Sequence, residues 1–205
     1  MNKLISLLFF LILMQNIFSQ DLDYKKNEFE LNYAFLTDEF VLNILPEAIY
    51  SLSHRNRDSN YVYRHALISK GAIYFTYRYN LLQRMSIGLT NGLDLSDGDI
   101  IDYTGKPIGT TKKVNLTIAA ECKYKYLDKK IITLYGYLGV GYSILLSRNY
   151  FTTVDPGLPF GDKIQNHFNM HITPIGMRLG KKVSGFLEIG LGYKGLLNAG
   201  VSLNL

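Results

Sequence analysis

His167, His171, Thr173 and Glu188 bring together the groups that nucleophilic catalysis needs: a hydroxyl, an imidazole to take its proton and a carboxylate to orient the ring. His171 and Thr173 are two residues apart, so in an extended segment they share a face, and His171 would activate Thr173 with Glu188 as the orienting acid. The plainer reading is a set of polar side chains inside a protein. It is preferred, because the hydroxyl is a threonine and no further part of a catalytic pattern surrounds it, so no catalytic residue is assigned. Asp94, Asp97, Asp99 and Asp102 could offer carboxylate oxygens to calcium or magnesium, but their spacing does not fit an EF-hand loop, which wants a glycine after the third ligand and a distant glutamate. A solvated external loop is expected there, with no metal and no cofactor. Asn115-Leu116-Thr117 matches a glycosylation acceptor but falls inside a strand pattern and is read as accidental.

A larger set is formed by Glu30, Arg78, Glu121, Lys123, Lys125, Arg178, Glu188 and Lys194. Each sits on the polar side of an alternating segment, so a closed sheet would aim them at one interior. They could line a charged conduit or solute site. The preferred expectation is a structural network that fills a narrow lumen, since unpaired buried charges are costly.

The segments that must position these groups read as strands of period two. From Lys113 to Tyr126, the residues Val114, Leu116, Ile118, Ala120, Cys122, Tyr124 and Tyr126 alternate with Lys113, Asn115, Thr117, Ala119, Glu121, Lys123 and Lys125. The same alternation marks strands around residues 28–35, 72–79, 85–95, 132–144, 168–179, 186–194 and 196–205. Pro174 breaks the count in the sixth of these, and Ile175, Met177 and Leu179 resume it out of phase, as a β-bulge requires. Connections alternate in length: 37–67, 96–110 and 148–163 are long, whereas 80–84, 128–130 and 181–185 are short. A tight turn around Lys194 and Gly195 is the exception. Within the first long connection, Val41, Leu45, Ala48 and Leu52 recur at helical spacing behind the caps Thr37 and Asp38, which predicts a short helix interrupted or reopened at Pro46.

The amino-terminal run from Leu4 to Met14 is apolar, follows Lys3 and gives way to Gln15, Asn16 and the small residue Ser19, which predicts a signal peptide over 1–19 cleaved near Ser19 or Gln20. Residues 20–205 then form one domain. The run is too short for a spanning helix, which needs about 20 apolar residues, and no cysteine near the cleavage site could take a lipid anchor. The formal net charge of +5 is mild and dispersed, unlike a nucleic-acid-binding stripe. A single cysteine, Cys122, excludes an intrachain disulfide. With 16 Tyr, 11 Phe, 18 Gly and no Trp, the composition favours strands. The expected fold is therefore all-β: a closed, antiparallel, up-and-down transmembrane β-barrel of about eight strands behind a cleavable signal peptide. Tyr77, Tyr79, Tyr124 and Tyr126 fall near the short-turn ends, where interface aromatics belong, and Phe35, Tyr142, Tyr150 and Tyr193 are expected toward the opposite interface.

The segments 171–182 (HITPIGMRLGKK) and 190–205 (GLGYKGLLNAGVSLNL) resemble the small porin-like outer-membrane β-barrels of Gram-negative bacteria, and the likeness of pattern extends over most of the chain after the leader. The resemblance implies an outer-membrane location, contact with outer-membrane lipid and insertion by the barrel-assembly machinery. Those families usually end in an aromatic residue, whereas this chain ends in Leu205. His171, Thr173 and Glu188 also resemble the His, hydroxyl and acid of barrel lipid A deacylases, although they read as lumen-facing, where a lipid has no entrance. The expectation is a non-enzymatic barrel with a largely filled lumen and an envelope-structural, adhesive or ligand-binding role, with loops 37–67, 96–110 and 148–163 as the place for an external ligand or surface. A narrow passive pore is the alternative.

Overall fold

A computed structural model describes residues 26–35, 37, 64–101, 106–129, 131–151 and 162–205. These residues form eight strands and no helix: β1 (Asn27–Ala34), β2 (Arg64–Leu82), β3 (Met85–Ile101), β4 (Pro107–Asp128), β5 (Ile132–Phe151), β6 (Lys163–Gly180), β7 (Val183–Gly192) and β8 (Leu197–Asn204). Each pairs antiparallel with its neighbour in the chain, and β1 pairs with both β2 and β8, so the sheet closes into a barrel. Backbone hydrogen bonds between Asn27 and Leu205 (3.2 and 2.8 Å) bring the start of β1 and the end of β8 together at the end that also carries the short β2–β3, β4–β5 and β6–β7 turns. We call this the turn end and the other the loop end.

The alternation places polar groups inside and apolar groups outside. On β1, Glu28, Glu30 and Asn32 are buried, whereas Leu31 is 51% exposed. On β5, Thr133, Tyr135 and Tyr137 are buried, whereas Leu138 is 60% exposed. This is the reverse of a soluble β-sandwich, whose inward faces are apolar.

The strands differ in length. β1, β7 and β8 have 8, 10 and 8 residues, and β2 to β6 have 17 to 22, so five strands run on past the other three at the loop end. β2 departs from β1 at a register shift between Ser69 and Ala72, where Gly71 takes a φ of 85°. A side chain there would collide with the Tyr33 phenol, which donates to the Lys70 carbonyl. The bulge at Pro174 is present: the register slips between Ile172 and Ile175 against β7 and between Tyr135 and Tyr137 against β5. The Pro174 carbonyl accepts from the Tyr126 hydroxyl at 3.3 Å.

The strand extensions correct the predicted long loops. Residues 64–67, 96–101, 107–110 and 148–151, together with Lys163, are strand, because backbone pairing continues where side-chain alternation no longer separates apolar from polar. Asp94, Asp97 and Asp99 accordingly lie on β3 and not in a loop; Asp94 points inward, and Asp97 pairs with Lys70 at 3.1 Å. The predicted leader over 1–19, Asp102 and the predicted helix beyond Thr37 lie outside the described residues.

Candidate functional site: an ionic core in the lumen

Alternation on five strands, with Lys194 in the β7–β8 turn, aims four carboxylates and four cations at one cross-section. Glu28 and Glu30 come from β1, Arg78 from β2, Glu121 and Lys123 from β4, Arg178 from β6 and Glu188 from β7. Lys123 Nζ contacts Glu28 at 3.0 Å and also Glu30. Arg178 meets Glu28, and Glu30 at 3.1 Å. Arg78 joins this group to a second one: its Nε donates to Glu30 at 2.9 Å and its Nη2 to Glu121. Glu121 also holds Lys194 Nζ at 2.7 Å and accepts from the Tyr193 hydroxyl at 2.7 Å. Glu188 accepts from Tyr135 at 2.8 Å and Tyr137 at 3.1 Å, and those rings carry Lys123 at 4.3 Å and Lys194 at 4.7 Å from their centroids.

Four negative charges thus meet four positive ones, and the network is formally neutral. Arg78, Lys123, Lys194, Glu28 and Glu188 have no accessible surface, so at this level the lumen is occupied by side chains. Space for them comes from glycine: Tyr74 lies opposite Gly92, Arg78 opposite Gly88 and Tyr135 opposite Gly176. A Cβ at Gly92 or Gly176 would strike the facing aromatic ring.

Seven of the eight network residues read from the sequence come together here. Lys125 is the exception. It lies at the turn end, half-buried, and pairs with Asp128 at 3.7 Å, because it is two residues beyond Lys123 toward the mouth. The expectation that Tyr193 lies at the outward loop-end interface is also corrected. Gly192 (φ 121°) and Gly195 (φ 74°) bracket a tight turn that folds into the barrel, leaving Tyr193 2% exposed and Lys194 fully buried. The Tyr193 carbonyl accepts from Tyr74, and Lys194 N–H donates to His171 Nδ1 at 3.3 Å. Phe35, Tyr142 and Tyr150 do point outward. So do Tyr77, Tyr79 and Tyr126 near the turn end, with Tyr124 half-buried beside Tyr126.

The catalytic trio does not assemble. His171 Nε2 lies 2.9 Å from Thr173 Oγ1, but Glu188 is held by the two tyrosines and not by the imidazole. With Nδ1 accepting the Lys194 N–H, the neutral ring carries its proton on Nε2 and donates to the threonine, the opposite of what a base for Thr173 must do. His167 is exposed on β6. Asn115 and Thr117 are buried in the lumen, and Thr117 bonds Ser143 at 2.6 Å. No group of three or more His, Cys, Asp or Glu suited to a metal ion occurs among the described residues.

Glu28 was legible as inward but not as a member of the network. Its contacts with Lys123 and Arg178 span three strands that are distant in sequence. The comparisons add no relative to this geometry: no family model matches the chain, and neither does any curated protein.

Proposed function

We propose that the chain is an exported, integral outer-membrane β-barrel whose filled lumen makes it a rigid anchor rather than a channel, with recognition carried by its loop end in an envelope-structural, adhesive or ligand-binding role. The observation that carries this reading is the inverted burial: charged groups with no accessible surface inside, and a predominantly apolar belt outside. On β4 the belt runs from Tyr126 to Val114. At about 3.4 Å per residue that is about 40 Å of strand, or about 28 Å of height at a tilt of about 45°, close to the roughly 25 Å apolar band of such barrels. Lys70, Asp97, Lys112 and Arg148 follow the belt at the loop end, and the outward tyrosines flank it at the turn end, as headgroup-level residues would.

Outer-membrane lipid is then the immediate partner, and the barrel-assembly machinery the agent of insertion. The neutral, packed core favours an anchor over a passive pore, and the reversed His171–Thr173 bond favours it over a lipid-modifying enzyme. The test combines fractionation of cells with heat-modifiable migration in detergent gels and planar-bilayer recording. The expected result is a folded, heat-modifiable outer-membrane protein without steady conductance steps. Recovery as a soluble periplasmic protein would refute the barrel's placement, and stable single-channel steps would refute the filled lumen.

A further inference from the structure

The outward face of β3 has one polar interruption. Between Met85 and Leu95 its outward residues are apolar except Asn91, which is exposed between Leu89 and Leu93 and stands opposite Phe75 on β2 and Ile118 on β4. Asn91 lies near the middle of the belt, and no other outward amide, carboxylate or ammonium lies at that depth among the described residues. In hydrocarbon an amide has neither water nor lipid to bond. A lysine or arginine escapes by extending its stem to the headgroups, but asparagine has a single methylene and cannot. Moving the side chain inward is closed as well, because a shift of one residue would turn every side chain of the strand to the other face.

We propose that this face binds a second copy of the chain, with Asn91 of the two copies paired across a two-fold axis. The inference rests on the membrane placement proposed above. A primary amide carries donor and acceptor in one group and is complementary to itself, so two related by a two-fold axis satisfy each other through a pair of N–H···O=C bonds. Ala120 stands diagonal to Asn91 across the β3–β4 ladder and faces outward, leaving room for a neighbouring wall to approach. Phe75, Leu89, Leu93 and Ile118 supply the apolar surround that excludes lipid from the amide pair.

The test uses the full chain, refolded in phospholipid vesicles and counted by single-molecule photobleaching, with sedimentation in density-matched micelles. The wild type is expected to be dimeric. Asn91→Leu is expected to raise the dimer dissociation constant at least tenfold, about 1.4 kcal/mol at 25 °C, while the monomer keeps its heat-modifiable fold, because the substitution removes an unsatisfied group from the lipid face. Asn91→Gln, which keeps the amide, is expected to remain dimeric. A wild type that is monomeric, or an Asn91→Leu variant that associates as well as the wild type, overturns the dimer while heat-modifiable membrane insertion still stands. A chain that does not enter membranes fails the placement itself, and fractionation records that separately.

Discussion

The ionic core makes a quantitative prediction about Glu121 and Lys194. Lys194 Nζ has Glu121 as its only ion-pair partner among the described residues, at 2.7 Å and fully buried. Breaking a buried pair by removing one partner costs about 3–5 kcal/mol, mostly because the other charge is stranded. Lys194→Met belongs at the low end, about 3 kcal/mol, because Glu121 keeps Arg78 and the Tyr193 hydroxyl. Glu121→Gln belongs higher, about 4 kcal/mol, because it leaves Lys194 without a carboxylate while Arg78 keeps Glu30. The double variant removes one charge of each sign and restores neutrality, so it should also cost about 4 kcal/mol where independent sites would cost about 7, a coupling of about 3 kcal/mol. Urea unfolding in lipid vesicles measures all four proteins, followed by tyrosine fluorescence, since the sequence has no tryptophan, or by the folded and unfolded gel bands. A coupling below about 0.5 kcal/mol, the range of independent sites, would show that the two charges do not stabilise each other and would refute charge matching as what holds the lumen together.

Other outcomes follow from the belt and the packing. Leu138→Arg, on a residue 60% exposed near mid-belt, should cost about 2–4 kcal/mol in a bilayer, and Tyr150→Arg, beyond the belt, about 0–1 kcal/mol; equal tolerance of the two in vesicle unfolding would contradict lipid at Leu138. Gly176→Leu should block folding because a Cβ there meets the Tyr135 ring, whereas Gly185→Leu, whose Cβ would have only the Gly200 carbonyl at 3.9 Å, should fold with unchanged yield by gel shift. Replacing Tyr193 and Lys194 together with glycine withdraws the in-folded turn and should raise bilayer conductance above that of the wild type, which is expected to be silent. A variant as silent as the parent would mean that the turn is not needed to close the lumen.

Strand number, connection order and the inward or outward sense of nearly every residue were legible because a strand with two different environments must alternate, and Pro174 showed its bulge by breaking that rhythm. Two features escaped for physical reasons. The extensions of β2 to β6 carry Lys70, Asp97, Lys112 and Arg148 on the face that is apolar lower down, so polarity stopped reporting the strand although the backbone ladder went on. The in-folded turn escaped because its direction is set by φ at Gly192 and Gly195, and alternation counted through the turn puts Tyr193 on the wrong side. Side-chain partners were less legible than faces. Glu188 and Lys123 were both read as inward, but only the closed register shows that Glu188 is held by Tyr135 and Tyr137 while Lys123 bridges Glu28 and Glu30.

An eight-stranded barrel has an interior just wide enough for side chains, and this one uses that width for large ones. Arg78, Tyr74 and Tyr135 each fit only because the directly opposed residue is glycine. In the proposed anchor such a lumen trades passage for rigidity: each of the four network cations, Arg78, Lys123, Arg178 and Lys194, has a carboxylate within reach, and opening a path means stranding at least one of them. The groups left free to meet something else are those the network does not use. On the apolar belt, the outward face of β3 offers Asn91. At the loop end, β6 from Lys163 to Asn169 has β5 on one side and, among the described residues, no strand on the other, because β7 ends opposite His171. In the proposed anchor, recognition therefore falls to the surfaces, and the filled core would keep those surfaces in a fixed relation to one another.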